Sequence, residues 1–379
     1  MEDELLSVTA GLLGVTCTVT DAGGACQLVR HLTDCNKVLC HACLQPREDS
    51  RDDPGHLSVV TVQGIFCMYA CCARNTKQAL VLAKELLTSH RCIVSVEAIY
   101  DVLNSSELTE SLASSPHLKR LSIADIEEDR RELIEAFFGD KRDAAEQQDA
   151  AEQQDAGDEQ REKLQPSLQD HASSTEIPIR LLEKDHATLV FLNLSSLRMN
   201  PSMAKTLVDA LIRNNSVAEL AAGAEIFTSG PAEETSMWFA QYLMKKNATL
   251  QKLMLNDAGF VLGSAGSQAL AQAISAMTTL KDLTLLFQAT SPDCSLLFTT
   301  VAGSRCISVL RFLIAAGDDD VIDPQSCKEV RHVPWVSAFK ENGSLEELVL
   351  NASWATSREC CIFTRSTGEQ TWSSEPKLA

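Results

Sequence analysis

The patterns that announce an enzyme are missing from this chain of 379 residues. It has no GxxxxGKS/T, GxSxG or HExxH string, and no Gly-rich loop between a strand and a helix. Basic runs are missing as well. Against 52 acidic residues stand 33 Lys and Arg, a net charge of −19 and a pI near 4.8. That balance argues against nucleic acid or an anionic membrane as the main partner. Nor is there a run able to span a bilayer, since the longest charge-free apolar stretch, residues 58–73, is too short and too polar. The amino terminus MEDELLSV is acidic, so the basic n-region of a secretory signal is absent. These absences point to a cytoplasmic chain that is not an enzyme and holds no cofactor.

What the chain does have is repetition. Seven stretches place apolar residues at the first, fourth and sixth positions: Leu118-Leu121-Ile123, Leu189-Leu192-Leu194, Val217-Leu220-Ala222, Leu250-Leu253-Leu255, Leu280-Leu283-Leu285, Val309-Phe312-Ile314 and Leu345-Leu348-Leu350. From Leu189 onward they start 28, 33, 30, 29 and 36 residues apart. A period of that size marks a stack of like units, each burying its apolar face only against its neighbours.

The residues ahead of each stretch supply a helix. Six positions before the first apolar residue stand Leu112, Leu211, Met244, Ile274 and Phe339, and ten before it Leu108, Leu207, Ala240, Leu270 and Trp335. A separation of four puts both on one helical face. Three before it stand Asn214, Asn247 and Asn342, and asparagine tolerates the left-handed conformation that ends a helix. Each unit is therefore expected to be a helix, a tight turn, a short strand and a loop.

These residues resemble the ribonuclease-inhibitor-like class of leucine-rich repeats, also found in NOD-like receptors, Ran GTPase-activating protein and tropomodulins. The string from Trp238 to Leu285 is the best single match. The resemblance implies an α/β horseshoe, a solenoid with parallel strands inside and helices outside, acting as a protein-recognition module. A GTPase regulator or a tropomodulin-like cytoskeletal cap are the rivals. The acidic tract of Ran GTPase-activating proteins follows the array, whereas here it interrupts it, and no amphipathic actin-binding helices precede the array.

The expected division is 1–124, irregular repeats; 125–178, a largely disordered acidic insertion; 179–351, regular repeats; and 352–379, a polar tail. Within the first part Ile93-Val96-Ala98 fits a unit, with Leu87 and Ala83 behind it. Leu12-Val15-Cys17 fits another, and Val38, with Leu32 and Leu28, starts a third that His41 and Cys43 fill poorly. QPREDSRDDPGH reads as a loop and the following HLSVVTVQGIFCMYACC as extended strand. Residues 125–163 hold fifteen acidic and six basic residues around the tandem DAAEQQDAAEQQDAG. Such composition cannot bury enough apolar surface to offset its ordering entropy. Because the repeat phase matches on both sides, the strands near Leu118 and Leu189 are expected in one sheet.

Fourteen cysteines without a signal suggest free thiols in a reducing compartment. Cys40 and Cys43 form a CxxC that could join Cys67 and Cys71 as zinc ligands. Cys67 and Cys71 lie in an apolar run rather than a knuckle, however, and small core residues are the simpler reading, so no metal is expected. His41, His90 and His117 fall at helix-to-strand turns, which suits a surface or capping role.

The third and fifth slots of each strand point away from the helices. Slot three carries Glu219, Lys252, Asp282, Arg311 and Glu347, alternating in sign, so a charge ladder across strands about 4.8 Å apart is expected. The candidate protein-binding residues on this concave face are Phe191, Lys252, Met254, Asp282, Arg311 and Leu313. Phe191, Met254 and Leu313 are the apolar anchors.

Overall fold

The computed structural model describes residues 2–19, 26–48, 56–61, 73–99, 106–124, 176–184, 188–197, 199–223, 232–246, 248–256, 264–288, 300–315, 342–353, 358–365 and 372–378. The tract 125–175, Asn104, Asn247, Trp335, Phe339 and Cys67, Cys71 and Cys72 lie outside the described residues. Eight helices are described: α1 (Glu2–Leu13), α2 (Leu32–Leu39), α3 (Ala73–Ser89), α4 (Ser106–Ser114), α5 (Glu176–Glu183), α6 (Pro201–Arg213), α7 (Ala232–Lys245) and α8 (Ser264–Ala276). The strands are β1 (Leu44–Glu48), β2 (Leu57–Thr61), β3 (Ile93–Ile99), β4 (Arg120–Ala124), β5 (Phe191–Ser196), β6 (Glu219–Gly223), β7 (Lys252–Asn256), β8 (Asp282–Gln288), β9 (Val309–Ala315), β10 (Glu347–Ser353), β11 (Arg358–Arg365) and β12 (Trp372–Leu378).

All twelve strands join one open sheet in sequence order. From β2 to β10 every neighbour is parallel, while β1 and the β11–β12 pair add antiparallel edges. Each helix packs on the next, α4 on α5, α5 on α6, α6 on α7 and α7 on α8. The architecture is mixed α/β, built of repeated helix–strand units along a largely parallel sheet.

The apolar triplets form the core. Leu118, Leu121 and Ile123, Leu189, Leu192 and Leu194, and Leu280, Leu283 and Leu285 are all buried, in one continuous cluster with Leu108, Leu112, Leu207, Leu211, Leu270 and Ile274 of the helices. Fully burying one such side chain contributes roughly 1.5–3 kcal/mol, so a unit whose triplet faced water could not hold. Ile93, Val96 and Ala98 are buried in the same way above Ala83 and Leu87. The two arrays meet without a gap: Arg120 pairs with Phe191 and Leu121 with Leu192, so β4 and β5 are direct neighbours in one sheet.

The sixth unit departs from the expected register by two residues. Asp282 pairs with Val309 and Leu283 with Leu310, which makes Ile307-Leu310-Phe312 the triplet in place of Val309-Phe312-Ile314. A recurring backbone bond shows the same phase. Lys281 and Asp282 both donate to the Gln251 carbonyl, Ser308 and Val309 to that of Lys281, and Glu346 and Glu347 to that of Ser308. Ile307 and Leu310 are buried, and Val301, six before Ile307, fills the helical core position. Val309 is instead half-buried on the face away from the helices.

In the helix of the Leu250 unit Ala240 is buried as expected, but the other core position is displaced by one residue. Phe239 and Leu243 are buried, while Met244, expected in the core, is 49% exposed. The turn that follows accounts for the shift, since Lys246 caps the helix by donating to Tyr242 and Leu243 and then accepts from Thr249 and Leu250. The asparagine turns are also built differently from expectation. Asn214 has φ −72° and ψ 140°, an extended conformation. Its Oδ1 accepts from the backbone N–H of Ser216 and of Val217, both at 3.0 Å. Asn342 does the same for Ser344 and Leu345, and its Nδ2 donates to the carbonyls of Ala302 and Ser304, both at 2.8 Å. These asparagines start the strand by side-chain hydrogen bonds, which is what Asx turns do.

At the amino-terminal end Leu12 lies in the last turn of α1 with Val15 and Cys17 in the coil after it, not in a strand, and Val38 lies inside α2 rather than opening a strand. β1 runs through Gln45, Pro46, Arg47 and Glu48, expected as loop, and pairs antiparallel with β2. An edge strand can carry Pro46 because one side of its backbone has no ladder partner.

Candidate interaction surface

Alternation along the strands leaves slots three and five on the face opposite the helices. The slot-three row runs Ser95, Arg120, Phe191, Glu219, Lys252, Asp282, Val309 and Glu347. The slot-five row runs Glu97, Ser122, Asn193, Ala221, Met254, Thr284, Arg311 and Val349. The two-residue shift therefore moves Arg311 from slot three to slot five and puts Val309 in the expected ladder position.

Arg311 nevertheless joins the ladder by reaching diagonally, whereas among the described residues no ion pair links Glu219 to Lys252. Its Nη1 meets Asp282 Oδ1 at 2.6 Å and its Nη2 meets Glu347 Oε1 at 3.3 Å. Lys252 Nζ approaches Asp282 Oδ2 at 3.5 Å. Asp282 thus sits between two cations and Arg311 between two carboxylates, a chain of four charges over four strands. Asp282 is the most enclosed of them and Lys252 the most open. Half-exposed pairs of this kind are worth only ~0–1 kcal/mol each, so a partner's charges could replace them at little cost.

Phe191 is half-buried, and the Arg120 guanidinium lies over its ring at 4.6 Å from the centroid. Next to it Asn193 donates to Ser122 Oγ at 3.1 Å and accepts from the Ser195 N–H and hydroxyl. Met254 is half-buried, whereas Ala221 and Thr284 on either side are buried, because short side chains sink between longer neighbours. The backbone of Leu313 is in β9 opposite Leu286 and Asn351, but its side chain lies outside the described residues. The structure thus brings Lys252, Asp282 and Arg311 together, sets Met254 beside Lys252 on the same face, and leaves Phe191 two strands away under Arg120. The sequence pattern placed Arg120 in slot three but not over the Phe191 ring, and it did not place Val309 on this face. The repeated backbone bonds of the strand entry hold the signal for Val309, and a guanidinium directly before an aromatic in register holds it for Arg120.

A second constellation lies near the amino-terminal end, where Cys17, Cys26, His90 and Cys92 put their sulfur and nitrogen atoms within 4.8 Å of one another. His90, expected at a surface turn, is 3% exposed. Cys40 and Cys43, the CxxC pair, are not part of that group.

Comparison with known protein families finds no match, and no curated protein matches the chain. Among solved structures it is similar to the leucine-rich repeat-containing protein LegL7 from Legionella pneumophila, with 12% identity and a TM-score of 0.38 over 80% of this chain and 85% of that one. Among the described residues, no helix is long and apolar enough to cross a membrane.

Proposed function

We propose that the chain is a non-enzymatic leucine-rich-repeat solenoid of the ribonuclease-inhibitor-like kind, bent into a horseshoe in the cytoplasm. It recognises a protein partner on the open face of its sheet. On this reading it is the recognition arm of a sensor or adaptor, and the acidic residues 125–178 are an insertion between irregular and regular repeats. The observation that carries the proposal is the row of Lys252, Asp282, Arg311 and Glu347 on a face where Phe191 and Met254 are half-buried. A face kept soluble by weak, exchangeable ion pairs, with apolar side chains beside them, is how solenoids present a long binding surface.

The test is affinity purification of partners with the full chain, followed by binding measurements on Phe191→Ala, Lys252→Glu, Met254→Ala, Asp282→Lys, Arg311→Glu and Leu313→Ala. Truncating a true anchor should weaken binding by ~2 kcal/mol, about thirty-fold. Retained affinity across the whole set, with unchanged circular dichroism, would move the site to the helices or to the acidic residues.

A further inference from the structure

We propose that Cys17, Cys26, His90 and Cys92 form a four-coordinate structural zinc site that fastens the amino-terminal segment to the first parallel repeat. The four come from three separate places. Cys17 follows α1, Cys26 caps the short helical turn Gln27–His31, and His90 and Cys92 flank the turn from α3 into β3. Local hydrogen bonds hold each place: Val15 N–H donates to Leu12, His90 N–H to Leu86, Ile93 N–H to His90, and Leu57 N–H to Cys92.

Two of the separations match those of a tetrahedral site. Zn–S bonds near 2.3 Å and Zn–N bonds near 2.0–2.1 Å put sulfur and nitrogen about 3.6 Å apart. Cys26 Sγ is 3.6 Å and Cys92 Sγ 3.9 Å from His90 Nδ1. Two groups at such a separation are ordinary hydrogen-bonding neighbours. Four potential ligand atoms all within 4.8 Å of one another could hold a metal ion between them.

The imidazole is turned the way a metal requires. Nε2 lies 3.0 Å from the Val15 carbonyl oxygen, which can only accept, so the proton belongs on Nε2 and Nδ1 is left with its lone pair toward the sulfurs. The sulfurs receive N–H groups too, since Leu28 N–H donates to Cys26 at 3.4 Å. Such bonds stabilise bound thiolates.

Three sulfurs and one imidazole nitrogen favour zinc over the harder cations, and four protein ligands leave no open position for substrate. The role is structural. α1 packs on α2 and α3, and the coil after it runs past the turn into β3. A metal joining residues 17, 26, 90 and 92 closes the amino-terminal end.

The full chain, purified without chelator, should contain about one zinc by elemental analysis. Stripped and refilled with Co(II), it should show thiolate-to-cobalt charge transfer and the intense visible bands of a tetrahedral sulfur-rich site. Cys17→Ser should lower zinc affinity by more than tenfold, while Cys40→Ser and Cys43→Ser should retain the metal. Should Cys17→Ser fail to fold, the Co(II) spectrum of the unmodified chain decides. A folded chain that takes up less than about a tenth of an equivalent of zinc from excess, with a silent Co(II) spectrum, would overturn the site. So would a disulfide among these cysteines in protein isolated from reducing cells, shown by intact mass after alkylation.

Discussion

Ile307→Ala and Val309→Ala should separate sharply in stability, because only one of the two side chains is in the core. Ile307 is 1% exposed, and it occupies the place that Leu280 and Leu345 hold in the adjoining units. Cutting it to alanine removes three carbons from an apolar setting, roughly 2.4 kcal/mol at ~0.8 kcal/mol per carbon. The unfilled space adds to this, so a loss of ~3 kcal/mol is expected, within the range of large-to-small core changes. Val309 is half-buried on the open face, so its two carbons should be worth less than ~1 kcal/mol. In a repeat array such damage is felt by the altered unit and its neighbours before the rest. The assay is therefore hydrogen exchange along β8, β9 and β10, backed by urea unfolding. Ile307→Ala should speed exchange there and Val309→Ala should not. If Val309→Ala is the damaging change and Ile307→Ala the mild one, the triplet starts at Val309 and the two-residue shift is wrong.

Gly223→Ala should destabilise the β5–β6 pairing by ~1–3 kcal/mol, since a Cβ there would run into the Ser195 carbonyl, whereas Gly343→Ala, in open space, should melt like the parent in a thermal scan. Asn342→Ala removes two donors from the carbonyls of Ala302 and Ser304 and one acceptor from Ser344 and Leu345, so urea denaturation should show a loss of ~2–3 kcal/mol; a change under ~0.5 kcal/mol would contradict the turn described. Burial pushes the Cys35 thiol up to about 12, so iodoacetamide at mildly alkaline pH should label Cys40 and Cys43 well before Cys35, as peptide mapping would show. The folded state holds the Cys35 proton more tightly than the unfolded chain, whose thiols ionise near ~8.5, so this contribution to stability is whole below that pH and is lost as pH climbs toward the folded value.

Much of the fold was legible because the repeat writes the same physics many times. Wherever the six-residue apolar pattern is regular, strand, buried triplet and helical face fall where periodicity puts them, as at Leu118, Leu189 and Leu280. The continuity of β4 into β5 across residues 125–175 followed from phase alone. The failures share a cause. At β9 both Ile307 and Val309 open a plausible triplet, and only neighbouring strands choose between them. At α7 Leu243 and Met244 are equally apolar, and the turn at Lys246 decides which is buried. Asparagine at the turn was correctly located but assigned the wrong conformation, because its side-chain oxygen does the work that a left-handed backbone would otherwise do.

The open face was legible in part. Alternating charge anticipated the ion pairs of Lys252, Asp282 and Arg311, although Arg311 reaches them from the next slot along. The Cys17, Cys26, His90 and Cys92 group was not legible. Its members are spread over most of the first ninety-odd residues, Cys17 fitted a repeat position, His90 fitted a turn, and Cys26 and Cys92 stand in no metal-ligand spacing. Burial completes the disguise. It pushes the Cys92 thiol up and His90 down, while at Cys17 hydrogen bonding from backbone and neighbouring thiols together outweighs burial and holds the thiol below its usual range.

The central claim is that a protein partner docks on the open face of this sheet. Hydrogen exchange of the full chain, with and without the partner recovered by affinity purification, tests it most directly. Slowed exchange confined to β5 through β10, and lost with Asp282→Lys and Arg311→Glu, is the predicted result. Protection confined to α5 through α8, with the strands unchanged, would contradict it.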